Sequence, residues 1–278
     1  GTARTAAERD SVIAAAEAAA REGGLNLTTR IALAVGPLDL AELRAAVNQL
    51  ATCGPLEVTG GDGRSLPPGA SVTIGGATSR PEERGLIENG IRPLLQGRPL
   101  TLQLGVINPP VCKVLNILPA KSDPRYEFTF THGDRPGNVE NGTYRSGENP
   151  VIKLRFPAEL TGYLDVFFAG VDDSAYNLLP HVNRPEHALE DIGTVTNGTR
   201  EITISYPVAE DSPSTLAMEV ADPFGVNLLV AVVTPRPLFN KIPILAMSIE
   251  AFMEEVEPAL RAQAGRAVFG YRFLVTQP

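Results

Sequence analysis

The chain has 278 residues, 43% hydrophobic and 20% charged, with 24 Lys and Arg against 32 Asp and Glu and a formal net charge of −8 at pH 7. That length supports one large or two ordinary domains with their own cores, and the charge repels a nucleic-acid backbone on average. With no Trp, three His and scattered cations there is neither a basic stripe nor a stacking platform, so no nucleic-acid partner is expected. Residues 1–118 hold 11 basic and 11 acidic side chains and residues 119–278 hold 13 and 21, so the acidic excess belongs to the second part and the expected domain division falls between them. The apolar stretch Leu229–Val233, bracketed by Asn227 and Pro235, is too short to cross a bilayer, which predicts a soluble chain with no membrane-spanning segment. The opening Gly1-Thr2-Ala3 is not an initiator sequence and suggests processing, which leaves an upstream membrane anchor open.

The first periodic stretch, TAAERDSVIAAAEAAARE, is rich in strong helix formers and closed by Gly23-Gly24, predicting a helix over 5–22 with a weak, Ala-based core face. A strand is expected over Arg30–Val35. Asp39 stands where an N-cap belongs, ahead of Leu40, Leu43, Val47 and Leu50 at three- and four-residue spacing. Leu56-Glu57-Val58 begins an extended segment, a polar turn follows, and Ser71–Ile74 reads as a strand. Pro81 suits the first turn of a helix over Pro81–Leu95, and Leu100–Leu104 supplies the next strand. Gly75-Gly76 predict a close turn between sheet and helix. Neither that pair nor GGDG at 60–63 runs on into the Lys-Ser/Thr ending of a phosphate-binding loop.

Helix, strand, strand, helix, strand is thus the order across LAELRAAVNQL, SVTIGGATSRPEERGLIENGI and LTLQLGVI. Over about residues 38–107 it resembles the BON domain. The resemblance implies a small α/β sandwich used in periplasmic, envelope-associated or ligand-binding architectures.

In INPPVCKVLNILPAKSDP, residues 107–124, Pro109-Pro110 start a short helix or turn, and Val111, Val114, Leu115 and Leu118 give it an apolar face. Cys112 lies here, and the chain's other cysteine is Cys53. Two readings stand. A disulfide would fasten this segment to the helix end near Cys53, stabilise the fold by about 4 kcal/mol through loop closure, and favour an oxidising compartment. Two buried thiols are the other reading. The lack of CxxC and of a nearby Cys/His cluster argues against zinc or a thioredoxin-like centre.

From Tyr126 the pattern changes to short β-rich runs punctuated by Gly, Pro, Asp and Asn: Tyr126–Thr131, Val151–Phe156, Tyr163–Phe168, Ala175–Leu179, Glu201–Tyr206, Thr215–Val220 and Asn227–Val233. A helix over Ser248–Ala262 and a strand over Ala267–Val275 follow. The expected fold class is α+β: a small BON-like α/β sandwich, then a β-sandwich-like domain with helical elaboration, with a mixed α/β second domain as the alternative. The sequence GTYRSGE from Gly142, then VIKLRFPAELTGYLDVFFAGVDDSAYNLLPHV and later DPFGVNLLVAVVTPRPLF, resembles the bacterial domain family DUF4384 over about residues 124–245. That resemblance implies a noncatalytic sensory or interaction domain from envelope, secretion or kinase-linked architectures. It brings no catalytic motif to these residues, and the kinase signature set is not in the chain.

The candidate interaction surface is two loops, one with Asp172, Asp173 and Tyr176, the other with Pro235, Arg236, Pro237, Leu238 and Phe239, because loops recognise partners without disturbing the supporting sheet. No catalytic residue, metal ligand set or cofactor is assigned. His181 and His187 fall short of a zinc ligand set, and Ser146, Asp165 and His181 are the residue types of a hydrolytic triad without its G-x-S-x-G elbow. Asp172-Asp173 and Glu210-Asp211 read as exposed turns rather than calcium ligands, and Phe156, Phe167, Phe168 and Tyr176 as sandwich filling rather than a carbohydrate platform. Asn26, Asn141 and Asn197 head N-x-T tripeptides that read as ordinary turns in a bacterial setting. The expected function is a noncatalytic periplasmic sensory or protein-interaction module, part of a larger signalling or secretion-associated protein, whose partner is an envelope protein or protein complex. The alternative is an envelope peptide or glycan hydrolase, with His181, Asp172, Asp173 and a hydroxyl or metal brought together by folding.

Overall fold

A computed structural model describes residues 1–3, 6–33, 36–119, 122–139, 142–263 and 265–278. The fold is α+β, in two compact units that interleave along the chain. The first holds Gly1–Ala51, Leu56–Gly76 and Arg84–Leu104, the second Thr52–Pro55, Ala77–Glu83 and Gly105–Pro278.

In the first unit β1 (Thr2–Ala3), which the sequence did not foreshadow, pairs in parallel with β2 (Ala32–Leu33). Between them in sequence lies α1 (Ala6–Glu22), ending ahead of Gly23-Gly24 as expected. Residue 5 of the expected helix and residues 34 and 35 of the expected strand lie outside the described residues. Strand β3 (Leu38–Asp39) leads into α2 (Leu40–Gln49), where Asp39 is the N-cap, its Oδ1 accepting from the Ala41 N–H at 2.6 Å. Strands β4 (Cys53–Thr59), β6 (Val72–Thr78) and β7 (Leu100–Val106), of which Cys53–Pro55, Ala77–Thr78 and Gly105–Val106 are counted in the second unit, form a sheet with β6 in the centre, and β5 (Ser65–Leu66) pairs with β3. Gly75 and Gly76 are therefore inside a central strand, not in a turn, because β6 runs on to Thr78 between two partners. The expected helix over 81–95 is α3 (Glu83–Ile91) followed by a 3₁₀ turn at Arg92–Leu95; Pro93 cannot donate the next helical hydrogen bond. Leu40, Leu43 and Val47 of α2 and Ile87 and Ile91 of α3 share a core with Leu56, Val58, Val72, Ile74 and Leu102 of the sheet. Beside it the buried Arg98 guanidinium donates to the carbonyls of Gly36, Leu66, Pro67 and Leu95.

The second unit starts its long segment with α4 (Pro109–Leu115), whose Cys112 is disulfide-bonded to Cys53 across 59 residues of sequence. Then come β8 (Glu127–His132), β9 (Thr143–Arg145), β10 (Pro150–Pro157), β11 (Tyr163–Ala169), β12 (Ser174–Leu179), β13 (Thr194–Thr196), β14 (Thr199–Ser205), β15 (Val226–Thr234), β16 (Ala246–Ser248), α5 (Ile249–Ala262) and β17 (Val268–Gln277). They make a four-stranded sheet, β13-β14-β10-β8, and a six-stranded one, β16-β12-β11-β15-β17-β9. Alternation along β11 and β15 sorts the layers. Leu164, Val166, Leu229, Ala231 and Val233 pack with Ile152, Leu154, Phe156, Ile202 and Ile204 of the smaller sheet, forming the sandwich interior. Phe167, Leu228, Val230 and Val232 point the other way, onto Ile249, Phe252, Val256 and Leu260 of α5 and Val111, Val114 and Leu115 of α4. The expected helical elaboration is this second layer, and Phe252 anchors it against Phe167 at 4.6 Å between ring centroids.

The expected strand over Thr215–Val220 is absent. That stretch is a strap without regular pairing, touching Tyr206 through one bridge at Ala217. Asn197-Gly198 is the two-residue turn joining β13 to β14, with φ of +51° and +76° at a position that favours Asn and Gly. The tripeptide at Asn141 begins outside the described residues. No helix among the described residues is long and apolar enough to cross a membrane.

Candidate recognition cleft

At one end of the sandwich the six-stranded sheet and the 216–223 strap enclose a cleft of about 340 Å³. Its floor comes from Phe168 of β11, Tyr176 and Leu178 of β12 and Leu274 of β17, and its far wall from Leu216 to Pro223. This volume is at the lower end of the ~300–1,000 Å³ that ligand pockets occupy. It has room for a large side chain rather than for a polymer.

The near lip is the β11–β12 turn. The Gly170 N–H donates to the Ser174 carbonyl at 2.8 Å, and Asp172 accepts from the Ser174 N–H at 3.2 Å and the Tyr176 hydroxyl at 2.8 Å. Burial, followed by the Asp172 carboxylate beside it, raises the Tyr176 hydroxyl above the usual phenol range. A Cβ at Gly170 would come within 2.3 Å of Asp172 Oδ1, so only glycine lets the carboxylate fold back over the turn. Asp173 lies one residue on at φ +63°, and its carbonyl accepts from the N–H of Ile249 at the start of α5. Buried Asn227 ties the lip to the floor: Oδ1 accepts from the Val171 N–H, while Nδ2 donates to the carbonyls of Gly225 and Leu274 and to Thr276 Oγ1.

The far wall has its own staple. Asn149 Nδ2 donates to the Met218 carbonyl at 2.6 Å and the Tyr206 carbonyl at 3.2 Å, and its Oδ1 accepts from the Val208 N–H at 3.0 Å. Val220 adds a two-way main-chain link, to Glu148 and from Gly147. Asn149→Ala leaves three main-chain groups without their partner, and losing buried hydrogen bonds costs about 1–3 kcal/mol each where water cannot replace them. The expected result is a loss of about 2–3 kcal/mol in denaturant unfolding, with faster amide exchange across the strap; unchanged exchange there would show that the strap does not depend on Asn149.

Of the two loops singled out by sequence, the first forms this lip, with Asp172 and Asp173 exposed and Tyr176 half-buried. The second is a clamp. Arg236 exchanges main-chain hydrogen bonds with the side-chain amide of Gln263 just beyond α5, and Leu238 and Phe239 are packed into the α5 core. Pro235, Arg236 and Pro237 remain exposed.

Ser146, Asp165 and His181 are not joined by any hydrogen bond among the described residues. Asp165 faces the α5 layer with Phe167 and Val232, and neither of its oxygens has a hydrogen-bond partner. Burial pushes its carboxyl up to about 8. His181 is buried, its Nδ1 accepting from the Asn183 N–H at 3.3 Å; burial and the Arg184 charge lower its pKa. His187 leans on the Tyr163 ring, and His132 on Tyr144. Among the described residues, no group of three or more His, Cys, Asp or Glu is placed to hold a metal ion.

Comparison with known proteins finds no matching family model, no matching curated protein and no matching solved structure. Sequence reasoning missed Asn149, Asn227, Glu219 and Asp222, since a buried amide or a loop carboxylate leaves no periodic signal.

Proposed function

We propose that this chain is a noncatalytic extracytoplasmic recognition module that holds an envelope protein partner through the cleft between the Asp172–Tyr176 lip and the 216–223 strap. The observation that carries the reading is the cleft itself: apolar inside, open at the end of a sandwich, and rimmed by polar groups on two loops. The Cys53–Cys112 disulfide fits an oxidising compartment. The two family resemblances point to the same class of envelope-associated, sensory or signalling assemblies, in which this region serves as one module of a larger protein.

The test uses a partner purified from the envelope fraction and titrated against the intact chain. Ala221→Trp, at an exposed point of the far wall, places an indole over the mouth without touching the core. It should weaken the affinity at least tenfold, while Val195→Trp on β13 leaves it unchanged. Equal affinities for the native chain and Ala221→Trp would remove the cleft from the interface.

A further inference from the structure

We infer that the occupant of this cleft is an extended basic peptide, which inserts an apolar side chain between the sheet and the strap and sets flanking Lys or Arg residues on Glu219 and Asp222. The inference rests on the cleft reading above and specifies its ligand. Three observations carry it. The first is charge: Asp172, Glu219 and Asp222 line the cleft, and none of the lining residues is Lys, Arg or His. Glu219 and Asp222 are exposed and make no side-chain hydrogen bond or ion pair among the described residues, so both remain available to a cation. The second is shape, since the floor of Phe168, Tyr176, Leu178 and Leu274 is apolar and concave. The rings of Phe168 and Tyr176 are inclined at 57°, which suits a wedge-shaped side chain better than a flat sugar face.

The third is the main chain of the strap. The Leu216 carbonyl, the Met218 carbonyl and both groups of Val220 are taken by Tyr206, Asn149, Gly147 and Glu148. The N–H and C=O of Glu219 and Ala221 make no hydrogen bond among the described residues. Alternate residues paired on one side and free on the other are the pattern of an unpartnered strand edge, which an extended peptide completes while its alternate side chains enter neighbouring pockets. The apolar floor thus selects the apolar residue, the carboxylates the sign of its neighbours, and the strap the extended conformation.

Three fluorescent peptides test this on the full chain: acetyl-KVLFK-amide, acetyl-QVLFQ-amide and acetyl-EVLFE-amide. Binding at low salt should follow the order Lys, Gln, Glu, with at least a fivefold step between the first two that shrinks at ~0.5 M salt as screening takes over. Glu219→Lys with Asp222→Lys, both exposed and so without effect on the unfolding midpoint, should reverse the order. N-methylation of the central Leu amide of the Lys peptide should weaken it further. Equal binding of the Lys and Gln peptides, or an order unmoved by the charge reversal, overturns the basic-peptide inference; indifference to N-methylation overturns its strand-like part. If no peptide binds while Ala221→Trp still weakens the purified partner, the inference fails and the cleft reading stands. If Ala221→Trp is also without effect, both fail.

Discussion

Replacing both Cys53 and Cys112 with Ala is expected to lower the unfolding free energy by about 4 kcal/mol, the loop-closure value for a cross-link of this span. The bond joins residues 59 apart and is buried at both ends, Cys53 at 1% and Cys112 at 3% exposure. Its loss therefore frees a long loop in the unfolded chain and removes apolar packing from the core that also holds Val111, Val114 and Leu115. Next to it the Gly54 N–H donates to Asn116 Oδ1 at 2.7 Å, so the link has a hydrogen-bonded neighbour that the variant keeps. Urea unfolding of the double variant against the oxidised native chain measures the difference. A loss below about 1 kcal/mol would show that the bond contributes little beyond its surroundings, as happens when the unfolded chain keeps residual structure.

The second large effect is at Asp165. Its carboxyl is pushed up to about 8 in the folded chain from 3.8, so between those values the native state keeps a proton that the unfolded chain has lost. The contribution of this carboxyl to stability therefore falls as pH rises from about 4 to about 8 and levels off above, where both states are ionised. The full shift corresponds to a loss on the order of 5 kcal/mol. Asp165→Asn keeps the shape and removes the titration. At pH 8 it should be more stable than the native chain by about 3 kcal/mol, less than the full shift because a buried amide has unsatisfied groups of its own. At pH 4, where the folded carboxyl is protonated, the amide's cost of about 2 kcal/mol should leave the variant the less stable of the two. Denaturant unfolding of both proteins at pH 4, 6 and 8 gives the difference directly, and a difference that does not change with pH would mean that Asp165 is ionised in the folded state.

Much of the fold was legible because local chemistry and tertiary packing agree. Asp39 caps α2, Gly23-Gly24 end α1, Asn197-Gly198 turn the β13–β14 hairpin, and alternation in β11 and β15 divides two cores. The failures have equally local causes. Thr215–Val220 has strand-like residues, yet side chains of Asn149 and Asp211 satisfy part of its main chain, so it becomes a strap instead. Gly75-Gly76 look like a turn in isolation, and only the two flanking strands of the sheet make them strand interior. Leu238 and Phe239 sit in a Pro-rich loop, and their burial depends on α5, which arrives later in the chain. Half of the candidate site was visible for the same reason: the acidic β11–β12 turn is a local signal, whereas the opposite wall is assembled by hydrogen bonds to residues about sixty to seventy positions away.

Amide hydrogen exchange of the chain, free and saturated with its purified partner, tests directly whether the cleft holds that partner. Added protection is expected at Asp172 to Ser174 and at Glu219 and Ala221, whose amides meet no main-chain acceptor among the described residues. The edge strand β13 and helix α1 should exchange as before. Protection confined to β13 or to the first unit, with the strap amides unchanged, would contradict the assignment of recognition to this cleft.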